Sequence, residues 1–356
     1  MSTRDGDVIV VGAGIIGCAV ARELSRRGAR IVILEARTVG AGATQASAGV
    51  LAPYIEAPGE GPLQAMAVRS LAMYDEFIAD VSRDVGTSIE YRRCGTLEVA
   101  ADPSGAARLL ALGEWVRSMG VDAEWVPAVD VPRLEPAMGE TEGALLVPTH
   151  GYVRAAQLTA ALLAAACRNG AVFHSQRRVE NIAFDGDDVM VTAGDTCYRA
   201  GTLVIAAGSW SGPLGATAVK PVRGQLLQLR WTGPPIMRVL WSDSCYLVPW
   251  VDGTLLVGAT VEDVGFDDRV TASGVQALLA AASALLPGVR DATFVEARVG
   301  LRPATPSGLP IIARSAEHPS VVYATGHYRN GILLAPLTAQ LVADLIANRE
   351  SRIANR

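Results

Sequence analysis

Three glycines, Gly12, Gly14 and Gly17, stand in GxGxxG spacing directly behind the apolar run DVIVV. Each has a use in binding phosphates. The first permits a tight turn, the second lets backbone approach a pyrophosphate, and the third lets a helix pack closely on its strand. Glu35 falls near the ~20-residue spacing at which an acid accepts hydrogen bonds from a ribose. A carboxylate there, rather than an arginine, disfavours a 2′-phosphate, so the pattern predicts FAD or NAD. A second group lies at the far end, in GHYRNGILLAP, where His327, Arg329 and an Asn-Gly pair precede an apolar helix. Free N–H groups at a helix start suit partial negative charge. Two readings stay open there: a solvated turn, or a helix start set against an anionic or electron-accepting group. Arg302, in VGLRPATPSG, adds a planar fork that binds a carboxylate in bidentate fashion. An internal ion pair with Glu296 is the alternative use.

The elements that must position these groups follow from apolar patterning. DVIVV reads as a strand buried on both faces. A helix then runs to Gly28 with Arg26 and Arg27 in its last turn, and RIVILE is a second strand ending on Glu35. The stretch RTVGAGATQASAGVLAPY carries almost no bulk. Its Ala46, Ala48 and Val50 suit backbone pressed against a flat ring, as a cofactor extending past its pyrophosphate would require. Residues 70–150 read as strand-and-turn text with several prolines, an inserted antiparallel region. From Arg154 the α/β grammar returns, with a helix closed by Gly170. AVFHSQRRVENIAF and DVMVTAG read as a strand pair, and TLVIAAGSWSG as a buried strand ending in a glycine turn. Residues 216–299 are again β-rich, and the last block is a strand followed by a helix starting near Leu333. The predicted fold is α/β: a Rossmann-type nucleotide domain with an inserted α+β substrate domain on an antiparallel sheet. The nucleotide domain would comprise 1–85, 150–215 and 300–356, and the substrate domain 86–149 and 216–299.

Composition narrows the classes. Half of the 356 residues are apolar and 19% are charged, enough for sizeable cores. The net charge of −5 comes with no basic stripe, which argues against nucleic acid. Cysteines 18, 94, 167, 197 and 245 are scattered without a CxxC pair, the pattern of a reducing, cytoplasmic protein. The four histidines are dispersed, so no metal site is predicted, and there is neither a GxSxG elbow nor a P-loop. Lys220 is the only lysine, which confines Schiff-base chemistry to that position. MSTRDGD leads directly into a strand, leaving no room for a signal peptide. No apolar run reaches the ~18 residues of a membrane span, and LTAALLAAAC and VQALLAAASALL read as short buried helices.

Taken together, VGAGIIG, ASAGVL, VIAAGSWSG, CYLVP, GLRPATPSGLPIIA and GHYRNGILLAP resemble one family over nearly the whole chain. It is the D-amino-acid-oxidase superfamily of FAD-dependent oxidoreductases, and within it the glycine oxidases of thiamine biosynthesis. The resemblance implies FAD held by Gly12, Gly14, Ile15, Ile16, Gly17, Glu35 and Ala36. It adds Ala43, Thr44, Ser47, Ala48, Gly49 and Val50, then Val179, Ala207, Gly208 and Trp210. Backbone of His327, Tyr328, Arg329, Asn330, Gly331, Ile332 and Leu333 would line the flavin. Attachment would be non-covalent, since no Cys or His occurs between Ala36 and Ser70 or near Arg302.

By the same resemblance Arg302 would bind a substrate carboxylate, Tyr246 would donate a second hydrogen bond, and Arg329 would reach the substrate side. No catalytic acid or base is implied, because hydride passes directly to flavin N5. The implied reaction converts glycine, sarcosine, D-alanine or D-proline to an imine, with oxygen reduced to hydrogen peroxide. The imine would hydrolyse to glyoxylate and ammonia or feed thiazole synthesis, in a homo-oligomer, often a homotetramer. Alternatives are a D-amino-acid dehydrogenase or sarcosine-oxidase-like enzyme with another acceptor, and a flavin-binding subunit of a heteromeric dehydrogenase. Val261 and Ser244 stand where relatives can carry Met and His, at positions expected to flank the pocket.

Overall fold

The computed structural model describes residues 4–354. Its first strand, Val8–Val11, lies in a six-stranded sheet between Thr202–Ile205 and Ile31–Leu34, parallel to both. Val172–His174 closes one edge, and Val321–Thr325 and the antiparallel Ile311–Arg314 close the other. All four residues of each of the three central strands are buried, which is why DVIVV shows no alternation. Val8 and Val10 face a core shared with the helices Ile15–Arg26, Ala155–Arg168 and Gly331–Ala354. Ile9 and Val11 face the three-stranded antiparallel layer Asn181–Asp185, Asp188–Ala193 and Thr196–Ala200. The expected strand pair is thus divided: Val172–His174 joins the large sheet, and only Asn181–Asp185 pairs with Asp188–Ala193.

A second, mostly antiparallel sheet of eight strands runs in the order Thr293–Ala304, Lys220–Arg230, Thr254–Gly258, Tyr246–Pro249, Val239–Trp241, Thr96–Ala100, Gly143–Val147 and Glu124–Pro127. It combines strands from both predicted insertions. The reading of 70–150 as strands and turns missed helices there, chiefly Pro103–Ser118. Its start is well marked: the Asp102 carboxylate accepts from Gly105 N–H at 2.8 Å, with Pro103 at the first helical position. Gly105 and Gly113 inside it weaken the helical signal. Gly113 is small for a reason, because a Cβ there would come within 2.9 Å of the Leu145 side chain.

The C-terminal helix, Gly331–Ala354, begins two residues before the expected Leu333. One 18-residue window within it, Gly331–Asn348, is long and apolar enough to cross a membrane, contrary to the run-length reading. Packing accounts for it, since 61% of that window is buried inside the protein. Pro336 sits inside this helix and has no N–H for the carbonyl of Ile332. The hydroxyl of fully buried Tyr74 donates to that carbonyl instead. Tyr74→Phe should therefore strand a buried acceptor and cost about 1–3 kcal/mol. Urea unfolding would measure it. An unchanged midpoint would mean the carbonyl is satisfied in another way.

Candidate active site

A cavity of about 520 Å³ lies along the C-terminal ends of the first two strands and continues to the larger sheet. Gly12, Gly14, Ile15, Ile16, Glu35 and Ala36 line one end, where ligands bind on open α/β sheets. Gly12 has φ +104°, and a Cβ on it would lie 2.5 Å from the Ala206 carbonyl. Gly17 does not line the cavity. It packs the helix on the turn, where an added Cβ would meet the Gly12 carbonyl at 1.9 Å. The Glu35 carboxylate is aimed by two backbone donors, Ala13 N–H at 2.7 Å and Arg37 N–H at 2.8 Å.

The low-bulk stretch forms the next wall. Ala43, Thr44, Ala46, Ser47, Ala48, Gly49 and Val50 all line the cavity, and the Thr44 hydroxyl accepts from Ile15 N–H at the helix start. Val179, Ala207, Gly208 and Trp210 complete this part. Sequence reasoning missed Arg37, Arg177, Arg178, Phe266 and Asp268, which line the same end. Phe266 and Asp268 come from the long connection after Thr254–Gly258. They meet Trp210 at 5.9 Å between rings and Arg37 at 3.7 Å. Nothing local in the sequence marks that reach across the cavity.

At the other end stands the start of the C-terminal helix. His327, Tyr328, Arg329, Gly331 and Ile332 line the cavity, while Asn330 and Leu333 do not. Asn330 is the residue before the helix, and its carbonyl accepts from Leu334 N–H at 2.8 Å. The two polar side chains that made this segment conspicuous are both engaged. His327 Nε2 lies 3.0 Å from the Thr338 hydroxyl, and burial pushes its pKa down to about 3, so it stays neutral. Arg329 donates twice to Glu56, at 2.7 and 2.9 Å. Burial works against its charge, but the Glu56 partner outweighs this and raises its pKa. Glu56 lines the cavity too, and no spacing in the sequence set it apart from a surface acid.

Arg302 and Tyr246 stand on strands of the eight-stranded sheet separated by Lys220–Arg230 and Thr254–Gly258, and both line the same end. The Glu296 alternative is removed, because Glu296 pairs with Arg298 at 2.5 Å. Arg302 donates instead to the backbone carbonyls of Thr260, at 2.9 Å, and Arg223, at 3.3 Å. Among the described residues no carboxylate lies within ion-pair distance of it. Burial draws its pKa below the usual guanidinium value. Two glycines make room: a Cβ on Gly224 would sit 2.2 Å from the Arg302 guanidinium, and one on Gly258 2.4 Å from the Tyr246 ring. Tyr246 stacks on Trp241 at 5.0 Å, and Trp241 lies under the Arg329 guanidinium at 5.9 Å. Val261 and Ser244 are exposed and are not among the residues that line the cavity.

The family model described as FAD dependent oxidoreductase matches residues 7–345. A glycine oxidase of Geobacillus kaustophilus is 35% identical over 358 residues, covering 98% of this chain and 95% of that relative. The crystal structure of a glycine oxidase from that species superposes with a TM-score of 0.94, at 34% identity and over 97% of this chain and 95% of that one. A bifunctional protein ThiO/ThiG of a Nostoc species is 36% identical over 354 residues and 97% of this chain, which spans about half (53%) of that relative's length. The match runs from the first buried strand into the C-terminal helix and takes in both sheets and the cavity that joins them. The chain therefore belongs to the family of FAD-dependent oxidoreductases, and its cofactor is FAD.

Proposed function

We propose that this chain oxidises glycine, with sarcosine, D-alanine and D-proline as further substrates, to the imine with release of hydrogen peroxide. Hydrolysis of the imine gives glyoxylate and ammonia, and its capture serves thiazole synthesis. One observation carries this reading: Arg302 is a half-buried guanidinium at the cavity with backbone carbonyls but, among the described residues, no carboxylate for a partner. A charge partly withdrawn from water in this way is costly until an anion meets it. The substrate's own carboxylate is the anion proposed, and relatives named as glycine oxidases support that choice.

The cavity's residues fit FAD. The turn at Gly12 approaches backbone too closely for any Cβ, Glu35 presents an oriented acceptor, and the 43–50 wall is built from small side chains. We assign Gly12, Gly14, Ile15, Ile16 and Gly17 to the pyrophosphate turn, Glu35 and Ala36 to a ribose, and 43–50 with Val179, Ala207, Gly208 and Trp210 to the remaining length. In the same reading, 1–85, 150–215 and 300–356 form the FAD domain, and 86–149 and 216–299 the substrate domain; the strand Thr293–Ala304 crosses the boundary at 300, and residues 1–3 and 355–356 lie outside those described. Attachment is non-covalent, so acid should release the flavin.

Bound FAD supplies a two-electron acceptor for the amine's Cα–H. The chain's part is positioning. Arg302 and Tyr246 fix the carboxylate, a placement worth several kcal/mol of the barrier. The N–H groups opening at Gly331 and Ile332 offer positive potential where negative charge develops. Neutral His327 holds its segment against Thr338.

The test is the purified chain with each amine in air, read by peroxide release. Peroxide from glycine supports the proposal. Turnover only with a quinone dye would make the chain a dehydrogenase, and no turnover by the single chain would favour a heteromeric subunit. A quieter substitution tests the positioning. The three atoms nearest a Cβ on Gly224 all belong to the Arg302 guanidinium, so Gly224→Ala should displace that group from its carbonyl partners. Displacing the fork should raise KM for glycine roughly tenfold. An unaltered KM would show that Arg302 is not read at that position.

A further inference from the structure

The substrate end of the cavity holds two guanidinium groups and one carboxylate. Arg302, Arg329, Glu56 and Tyr246 all line it. Glu56 meets Arg329 with both oxygens, at 2.7 and 2.9 Å, and its side chain is only 10% exposed. Among the described residues, Arg302 has backbone partners alone. The groups share one electrostatic neighbourhood: Arg302 senses both Arg329 and Glu56, and Tyr246 senses all three. Arg329 is thus cancelled where it stands, and the site presents one unmatched positive charge.

We propose that Glu56 is a specificity-determining residue that counts charge, restricting the site to ligands with a single carboxylate by neutralising Arg329. This rests on the reading of Arg302 as the carboxylate anchor. A monoanion meeting Arg302 leaves the site neutral. A dianion brings a second negative charge that must be desolvated next to Glu56 with no free cation to receive it. Removing the Glu56 charge frees Arg329, which stays protonated as a guanidinium. The same space then offers two cations for two carboxylates.

The experiment uses the FAD-loaded protein and two ligands that need no turnover. Methoxyacetate is the oxygen analogue of sarcosine, and diglycolate is that molecule with a second carboxylate. Their dissociation constants are read from the change in flavin absorbance. The parent should bind methoxyacetate at least tenfold more tightly than diglycolate. In Glu56→Gln that ratio should shift by at least tenfold toward diglycolate. The double variant Glu56→Gln with Arg329→Gln restores the charge count and should restore the preference for methoxyacetate, although both native side chains are gone. A merely structural pair would not produce that reversal. The double variant also carries the test if Glu56→Gln alone fails to retain FAD. A Glu56→Gln ratio within twofold of the parent overturns the proposal, as does a double variant that favours diglycolate. Arg302→Gln separates the two readings: if it binds methoxyacetate like the parent, the carboxylate anchor itself is wrong, whatever Glu56 does.

Discussion

Arg302→Ala should raise KM for glycine steeply and lower kcat/KM about a hundredfold while FAD remains bound. The loss is that of a charge-assisted bidentate contact, on the order of 3 kcal/mol. Retention of FAD is expected because the groups assigned to its pyrophosphate and ribose lie at the opposite end of the cavity. Arg302→Lys should recover only part of the loss, since a point charge cannot reproduce a planar fork. It also cannot donate to the Thr260 and Arg223 carbonyls while presenting two N–H groups to a ligand. The comparison needs amines with and without a carboxylate, because only the former should suffer. If Arg302→Ala oxidises glycine as well as the parent does, Arg302 is structural and the amino-acid assignment loses its anchor. Arg329→Ala should raise KM less, through the Glu56 charge it leaves unpaired rather than through a lost contact to the substrate carboxylate. If Arg329→Ala is instead the more severe for glycine, the two arginines exchange roles.

Glu35→Lys should weaken FAD binding by about 2–3 kcal/mol, or roughly 30- to 150-fold in Kd. The native carboxylate does two things. It accepts from Ala13 and Arg37 N–H groups, one on each oxygen, and so ties the glycine turn to the end of the second strand. Its remaining lone pairs face the cavity, where ribose hydroxyls would donate. Lysine offers no acceptor, so the two backbone donors and the ribose lose their partner together. Titrating the apoprotein with FAD and following flavin fluorescence would give the change, with circular dichroism to show that the fold persists. Unchanged FAD affinity would reduce Glu35 to a structural tie between Ala13 and Arg37.

The glycine turn, Glu35 and the low-bulk 43–50 wall were legible in the sequence because their chemistry is local. Spacing along one strand–turn–helix unit decides which backbone groups meet a phosphate, and an apolar run without alternation already states burial on both faces. The chemical type of Arg302 was legible for the same reason: a fork between Gly, Leu and Pro has few uses. The choice of partners was not. Arg302 could have paired with Glu296, but Glu296 meets Arg298 two positions along its own strand, and the sheet sets Arg302 among the carbonyls of Arg223 and Thr260. Arg329 and Glu56 lie 273 residues apart in the chain, and only the docking of the C-terminal helix start beside Pro53–Glu56 joins them. The helix Pro103–Ser118 was hidden because its interior glycines lower helical propensity while serving a close contact with the sheet. Side-chain type and spacing determine what a residue can bind. Which opposite charge reaches it first is a matter of packing, and here packing gave Arg329 a carboxylate partner and Arg302 backbone carbonyls.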